Sequence, residues 1–230
     1  MRYLLLALCT SVALAWIPSP ATADWFEDFE SYDVGDGLHG QGGWMGWDDD
    51  PAFDAYVTDV VAYSPTKAVE ILPTTDIVRT FEGYTSGCWT FTAWQYIPGT
   101  LSGQTYFLLL NTYVAGTDYN WSCQVMFDET GFMESYPDGA QLPWVPDEWV
   151  EIRVEIDLDA DLQRFFYDDQ LLYEKSWVDG VSGDGAVNIA CVDLYGNGAS
   201  SIYYDDCSLI PGDPSPAGET TWGNVKSLFR

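Results

Sequence analysis

Basic residues are scarce in this chain of 230 residues, which carries 8 Lys and Arg against 36 Asp and Glu and has a formal net charge of −28. A surface this acidic repels nucleic acid and anionic lipid, and the balance argues against both as direct partners. Histidine is scarcer still, because His39 is the only one. A His-rich zinc site is therefore excluded, and a Ser-His-Asp triad has only one candidate base.

Long apolar runs are missing after the N-terminus. The run at residues 4–16 is 13 residues long, whereas about 20 are needed to cross a bilayer. Arg2 precedes this run, and Ala21-Thr22-Ala23 follows it as a small-residue cleavage pattern. We expect residues 1–23 to be a secretory signal cut near Ala23, with no membrane span in the remaining chain and a secreted or cell-surface location. An N-terminal membrane anchor is the less favoured alternative.

Cysteine is limited to four residues after this signal, none of them spaced as Cys-x-x-Cys, which argues against a zinc ribbon. The segment from 188 to 210 has the pattern of a hairpin that would bring Cys191 and Cys207 side by side. This pair is the candidate disulfide, although four cysteines allow three pairings. Buried free thiols are the alternative.

Short strands separated by turns fill the body of the chain. CWTFTAWQYI (88–97), TYFLLLNTYV (105–114) and WVEIRVEID (149–157) are rich in β-branched and aromatic residues, and Gly and Pro punctuate the segments between them. This pattern predicts an all-β, two-sheet antiparallel sandwich over residues 24–210. Residues 211–219, PGDPSPAGE, follow as a stiff linker. Residues 220–230 have helical spacing and form a short amphipathic tail, which either docks on the sandwich or attaches to an envelope partner.

The hairpin WVEIRVEIDLDADLQRFFYDDQLLYEKSW (149–177) is similar to that of concanavalin A-like lectin and laminin-G-like sandwiches. The opening FEDFESYDVGDGLHGQGGWMGW (26–47) and the closing IYYDDCSLI (202–210) also resemble exported bacterial domains of this superfamily. The resemblance covers most of residues 24–210. It implies a concanavalin A-like jelly roll and a glycan-related function.

Glycoside hydrolases of the same superfamily carry a catalytic strand that looks like E-I-D-x-E. The resemblance would make Glu155 the nucleophile, Asp157 the modulating carboxylate and Asp159 the acid/base, where Glu is expected. Residues four apart on a strand are separated by about 13 Å of rise, and a retaining pair needs carboxyl groups about 5.5 Å apart. Alternation of Val and Ile with charged residues fits an ordinary strand and acidic turn better. The alginate-lyase branch is disfavoured because its basic strand motif is missing.

Aromatic residues in polar or glycine-rich surroundings are the candidate ligand contacts. Such rings pack on the apolar face of a sugar, while nearby amides reach its hydroxyl groups. The predicted site comprises Trp44, Trp47, Trp144, Trp177, Tyr195, Gln41, Asn120 and Asn197. These features predict an exported, non-catalytic carbohydrate-binding domain with a polysaccharide partner. A hydrolase using Glu155 and a structural or adhesive surface protein are the alternatives.

Acidic residues at the two ends of the sandwich predict a calcium site. In jelly-roll binding modules the first and last strands commonly run side by side, which would gather Glu27, Asp28, Asp205 and Asp206. Clustered carboxylate oxygens suit six- to eight-coordinate Ca²⁺. The loop at residues 48–50 is the alternative ion site.

Overall fold

The structure, a computed structural model, describes residues 25–212, and strands make up most of its regular structure. In chain order the strands are β1 (Trp25–Glu27), β2 (Trp44–Gly46), β3 (Tyr56–Thr58), β4 (Ala68–Ile71), β5 (Asp76–Thr80), β6 (Cys88–Tyr96), β7 (Gln104–Val114), β8 (Asp118–Asp128), β9 (Phe132–Ser135), β10 (Gln141–Pro143), β11 (Trp149–Asp157), β12 (Leu162–Tyr167), β13 (Gln170–Lys175), β14 (Cys191–Tyr195) and β15 (Ile202–Pro211). Two 3-10 turns, Trp47–Asp49 and Pro51–Phe53, separate β2 from β3. No helix in this part of the chain has the length and apolar character that a membrane crossing requires.

The strands form two antiparallel sheets. The first sheet has the order β13-β12-β11-β6-β15-β4-β3, with β1 also paired to β15, and the second has the order β10-β9-β8-β7-β14-β5-β2. Strand β6 buries alternate residues along its whole length, as expected for a strand with one face toward the other sheet. The predicted two-sheet antiparallel sandwich is confirmed.

Aromatic side chains from both sheets meet in the core. Phe107 of the second sheet lies 5.7 Å from Phe91, 5.9 Å from Phe165 and 6.4 Å from Tyr204, measured between ring centroids, and these three partners belong to the first sheet. All four rings are fully buried. The Tyr204 hydroxyl contacts Gln95 Nε2 at 2.7 Å, which provides the hydrogen bond that a buried polar group requires. These aromatic contacts hold the two sheets together.

The predicted catalytic residues do not form one row on the first sheet: Glu155 is partly exposed on its outward side, Asp157 is 7% exposed at the end of β11, and Asp159 lies in the turn that follows. Strand β11 alternates buried apolar residues with outward-facing charges, as expected for a half-buried strand. Glu155 Oε1 lies 3.5 Å from Arg153 Nε. Asp157 accepts a hydrogen bond from the Ala160 backbone at 2.9 Å, and Asp159 accepts one from a backbone amide 72 residues away in the chain. The three carboxylates thus have structural partners in a strand and an acidic turn.

The proposed Cys191–Cys207 disulfide is wrong. Cys191 lies on β14 of the second sheet, among the apolar residues of its outer face, whereas Cys207 lies on β15 of the first sheet and points into the core. The chain crosses between sheets after Tyr195 and does not form a hairpin. Cys123, Cys191 and Cys207 are buried free thiols.

The two ends of the sandwich are adjacent, since β1 pairs with β15 and brings Glu27 opposite Cys207. The nearby carboxylates accept hydrogen bonds from local groups: Glu27 Oε1 from the Phe29 amide at 3.0 Å, and Asp205 Oδ2 from the Tyr63 amide at 2.8 Å. Within residues 25–212 no group of three or more His, Cys, Asp or Glu side chains is arranged to hold a metal ion. A calcium ion at Glu27, Asp28, Asp205 and Asp206 stays a prediction.

Other predictions concern the chain ends. Strand β15 continues to Pro211, the first residue of the predicted linker. The predicted signal at residues 1–23, the tail at 220–230 and most of the linker lie outside the described residues.

Candidate functional site

The outer face of the second sheet carries a cleft of about 310 Å³, which we call the aromatic cleft. It is lined by Trp47, Asp76, Tyr106, Leu108, Trp121, Gln124, Asp193, Tyr195 and Asn197. Strand register arranges the floor in rows: Asp193 of β14 is opposite Leu108 of β7, which is opposite Gln124 of β8. Residues 107 and 109 point into the core, so residue 108 between them points out into the cleft.

Two pairs of rings border this floor. The Trp47 and Trp121 rings are nearly parallel, with an angle of 12° and centroids 6.1 Å apart. Tyr106 and Tyr195 are cross-strand neighbours whose rings lie 5.9 Å apart at 19°. All four side chains are partly exposed. The cleft therefore combines flat apolar surfaces with polar groups between them, as small-molecule sites do.

Trp47 is held in place by the hairpin of β7 and β8. The Asp48 backbone N–H donates to the Tyr113 hydroxyl at 3.0 Å, and the Asp48 carboxylate accepts from the Gly116 amide at 2.8 Å and from the Tyr119 hydroxyl. The rings of Tyr113 and Tyr119 lie 5.1 and 4.7 Å from the Trp47 ring. Because its neighbours fix both its backbone and its ring, Trp47 is preorganised before a ligand arrives.

The turn before Trp47 requires glycine. A Cβ at Gly46 would stand 2.0 Å from the Asp50 carbonyl oxygen, so a larger residue would displace the 3-10 turn. The Gly46 amide donates to His39 Nδ1 at 3.1 Å, and the His39 amide donates to Asp54 at 2.7 Å. The single histidine thus supports the loop that presents Trp47.

Two carboxyl groups, Asp76 on β5 and Asp193 on β14, meet in the cleft and share a hydrogen bond. Burial raises the pKa of Asp76 to about 6. Burial also raises the pKa of Asp193 well above its ordinary value, and the charge of Asp76 raises it further. Both shifts favour the protonated form of the pair, and a pair that shares one proton can both donate and accept a hydrogen bond.

A second depression of about 420 Å³ adjoins the cleft at Asn197. It is lined by Gly103, Gln104, Asp128, Glu129, Thr130 and Asn197. The two depressions share Asn197 as a lining residue and are therefore neighbours, and we refer to them together as the track.

The structure brings three of the predicted ligand contacts to this cleft: Trp47, Tyr195 and Asn197. Five others lie elsewhere: Trp44, Trp144, Trp177, Gln41 and Asn120. The three tryptophans are core residues with exposures of 1%, 8% and 0%. Trp144 and Trp177 satisfy their indole N–H groups on backbone carbonyl oxygens. Gln41 and Asn120 donate to backbone carbonyl oxygens of loops.

Several cleft residues were missed from the sequence: Asp76, Tyr106, Leu108, Trp121, Gln124 and Asp193. Asp193 had a detectable signal, because it interrupts the apolar segment Cys191–Tyr195 and is 3% exposed. A buried acid on a central strand requires a partner or a function. For the others, only the strand register shows that they share one face.

No family model matches this chain, and no curated protein matches it. Among solved structures, a sialidase aligns with a TM-score of 0.53 and 6% identity over 83% of this chain, which spans 19% of the sialidase. The cellulose-induced protein Cip1 aligns at 0.51 with 12% identity, covering 82% of this chain and 97% of Cip1. An alginate lyase mutant solved with an alginate tetrasaccharide aligns at 0.50 with 12% identity, covering 84% and 98%. At these identities the similarity establishes the β-sandwich fold.

Proposed function

We propose that this protein is an exported, non-catalytic carbohydrate-binding protein of lectin type and that the aromatic cleft is its binding site. The observation that carries the proposal is the combination of parallel Trp47 and Trp121 rings with a floor of hydrogen-bonding groups. A pyranose has the same two-sided character, with apolar C–H faces and a polar rim of hydroxyl groups.

In this arrangement the C–H face of a sugar packs on the tryptophan rings, which contribute contact area at little conformational cost. Gln124 and Asn197 each offer an amide donor and an acceptor to the hydroxyl groups. The acid pair of Asp76 and Asp193 adds both functions when it shares one proton. The cleft volume of about 310 Å³ lies at the lower end of the range of about 300 to 1,000 Å³ for ligand sites.

The geometry of the acid pair supports binding over hydrolysis. Retaining glycosidases place their carboxyl groups about 5 to 5.5 Å apart, and inverting enzymes place them about 6.5 to 9.5 Å apart. Asp76 and Asp193 instead interact directly through their side chains within one cleft. Both glycosidase arrangements need a wider gap, which accommodates the sugar bond or the catalytic water.

Fold similarity adds modest support. A sialidase and an alginate lyase share the sandwich, and the second was solved with a tetrasaccharide. One fold hosts many functions, so the proposal depends on the cleft. The concanavalin A-like assignment and the calcium ion are further parts of the proposal.

The test is a polysaccharide array screened in Ca²⁺ and again in EDTA, followed by titration of the retained glycan. Trp121→Ala should weaken binding at least about tenfold, which corresponds to 1.4 kcal/mol, because it removes half of the ring pair. Trp94→Ala is the matched control: Trp94 is also partly exposed, but it stacks on Tyr63 at 3.9 Å on the outer face of the first sheet. Equal affinity of Trp121→Ala and wild type would place the site elsewhere, and release of reducing sugars would indicate hydrolysis.

A further inference from the structure

The aromatic cleft and the adjoining depression are lined by carboxyl groups without a cation. Asp76 and Asp193 lie in the cleft, and Asp128 and Glu129 lie in the depression. None of the residues that line either space is Lys, Arg or His. Binding sites for anionic glycans need basic side chains to match the ligand charge. The charged side chains that line this track are all acidic.

The acid pair has an unmatched charge. A pair that holds one proton retains one negative charge, and Asp193 is only 3% exposed. Among the described residues no N–H or O–H group donates to Oδ1 of Asp76 or to Oδ1 of Asp193, and both atoms are buried. A buried charge without a partner is costly, so a ligand cation at this position removes a penalty that the free protein carries.

We propose that the ligand of the aromatic cleft is a glycan with free, protonated amino groups, that is, a chain containing non-acetylated amino sugars. This inference rests on the proposed function and adds the chemical class of the sugar. An ammonium group offers three hydrogen-bond donors and a positive charge to the acid pair.

Two further features favour a cation at this position. Trp47 and Trp121 present aromatic rings, which attract cations through the negative potential of their faces. The chain as a whole has a formal charge of −28, which attracts polycations and repels polyuronates. Acetylation of the amine would remove the charge and two of its donors, so an N-acetylated chain should bind more weakly.

The experiment uses four tetrasaccharides of equal length, built from glucosamine, N-acetylglucosamine, glucose and galacturonate. Each is titrated calorimetrically into the protein at pH 6, where the glucosamine amine is protonated, and in about 0.15 M salt, which screens distant surface charges. We expect the glucosamine chain to bind at least tenfold more tightly than the glucose chain, and the galacturonate chain to bind most weakly.

A double variant separates the cleft from the general acidity of the protein. Asp76→Asn combined with Asp193→Asn removes the charge of the pair while keeping side-chain size, and it should reduce the preference for glucosamine over glucose to less than threefold. The control combines Asp59→Asn with Asp168→Asn, two exposed residues outside the cleft. It removes two negative charges, one more than the cleft variant removes from the proton-sharing pair, and should nevertheless retain the preference. Thermal unfolding of both variants verifies that they are folded.

The outcomes distinguish this inference from the proposed function. If the glucosamine and glucose chains bind equally and Trp121→Ala weakens both, the cleft binds glycans and the amino-sugar inference is wrong. A preference that survives in the cleft double variant would also overturn the inference, because general acidity would then explain it. If no chain binds, the proposed function loses its support together with the inference.

Discussion

Replacing Asp193 with Asn should stabilise the protein at neutral pH. In the native protein Asp193 is almost fully buried against Asp76, and the pair is surrounded by the titratable groups of Asp48, Tyr195 and Cys191, none of which is a cation. An asparagine at this position has the same size and donates a permanent N–H to Asp76. The variant thus keeps the hydrogen bond between the two side chains and removes the need to hold a proton.

The direction of the pH dependence follows from the raised pKa values. Between about pH 4 and 6 the native protein holds a proton that the unfolded chain has released, so stability falls as pH rises through this range. The penalty that the variant removes is that of Asp193, whose pKa is raised well above its ordinary value by burial and by the charge of Asp76. Leaving a buried polar group unsatisfied costs about 1 to 3 kcal/mol, so we expect Asp193→Asn to gain about this much at pH 8 and little at pH 4.

The measurement is thermal or urea unfolding of both proteins at pH 4, 6 and 8. For a chain of this size 1 kcal/mol shifts Tm by about 2 to 4 °C, so the expected gain is measurable. The pKa of Asp205 is also raised to about 6 by burial, but it affects both proteins alike, and only their difference is compared. The shared-proton interpretation would be refuted if the variant and the native protein differed in unfolding free energy by the same amount at pH 4 and at pH 8. A variant that is less stable than the native protein at pH 8 would refute it as well.

Two further predictions concern the residues that the sequence singled out. Glu155→Gln should leave glycan binding unchanged. It should alter the free energy of unfolding by less than about 1 kcal/mol, because the ion pairs of Glu155 with Arg153 and Arg164 are partly exposed. A loss of binding in this variant would place the site on the first sheet. A protein that begins at residue 24 should titrate at least the three thiols of Cys123, Cys191 and Cys207 when denatured without reductant, and dithiothreitol should leave its Tm unchanged. Fewer than three thiols would reveal a disulfide.

The fold could be predicted because strand signals are local. The segment 149–157 was read from its alternation and matches β11 residue for residue. The turn at Asp168 and Asp169 is similarly local, since both residues have positive φ values of 49° and 56°, a conformation that Asp tolerates better than most residues. The disulfide prediction was wrong because it depended on which sheet each of the two strands joins. No local sequence pattern determines that.

The candidate site was harder to predict, because the composition of a loop does not determine how deeply its side chains are buried. Trp47 and Trp177 both lie in polar, turn-rich segments, yet Trp47 is partly exposed and Trp177 is completely buried. The position of the Trp47 ring is determined by Tyr113 and Tyr119, which contact it from a hairpin about 70 residues away in the chain. A contact of this kind is specified by tertiary packing and not by the neighbouring sequence.

Strands β7 and β14 nevertheless carry a signal that marks the cleft. On β11 one face is charged, which is typical of an antiparallel sheet with one side in water. Residues 107–111 of β7 are instead all buried, as are Cys191 through Leu194 on β14, so both faces of these central strands are covered. The inner face is covered by the first sheet, and the outer face is covered in part by the layer of rings around Trp47 and Trp121. Where that layer leaves an opening, Leu108 and Asp193 form a floor that is apolar and acidic at once. Loss of alternation on a central antiparallel strand therefore indicates a second covered surface, and a buried acid within it marks the floor of the cleft.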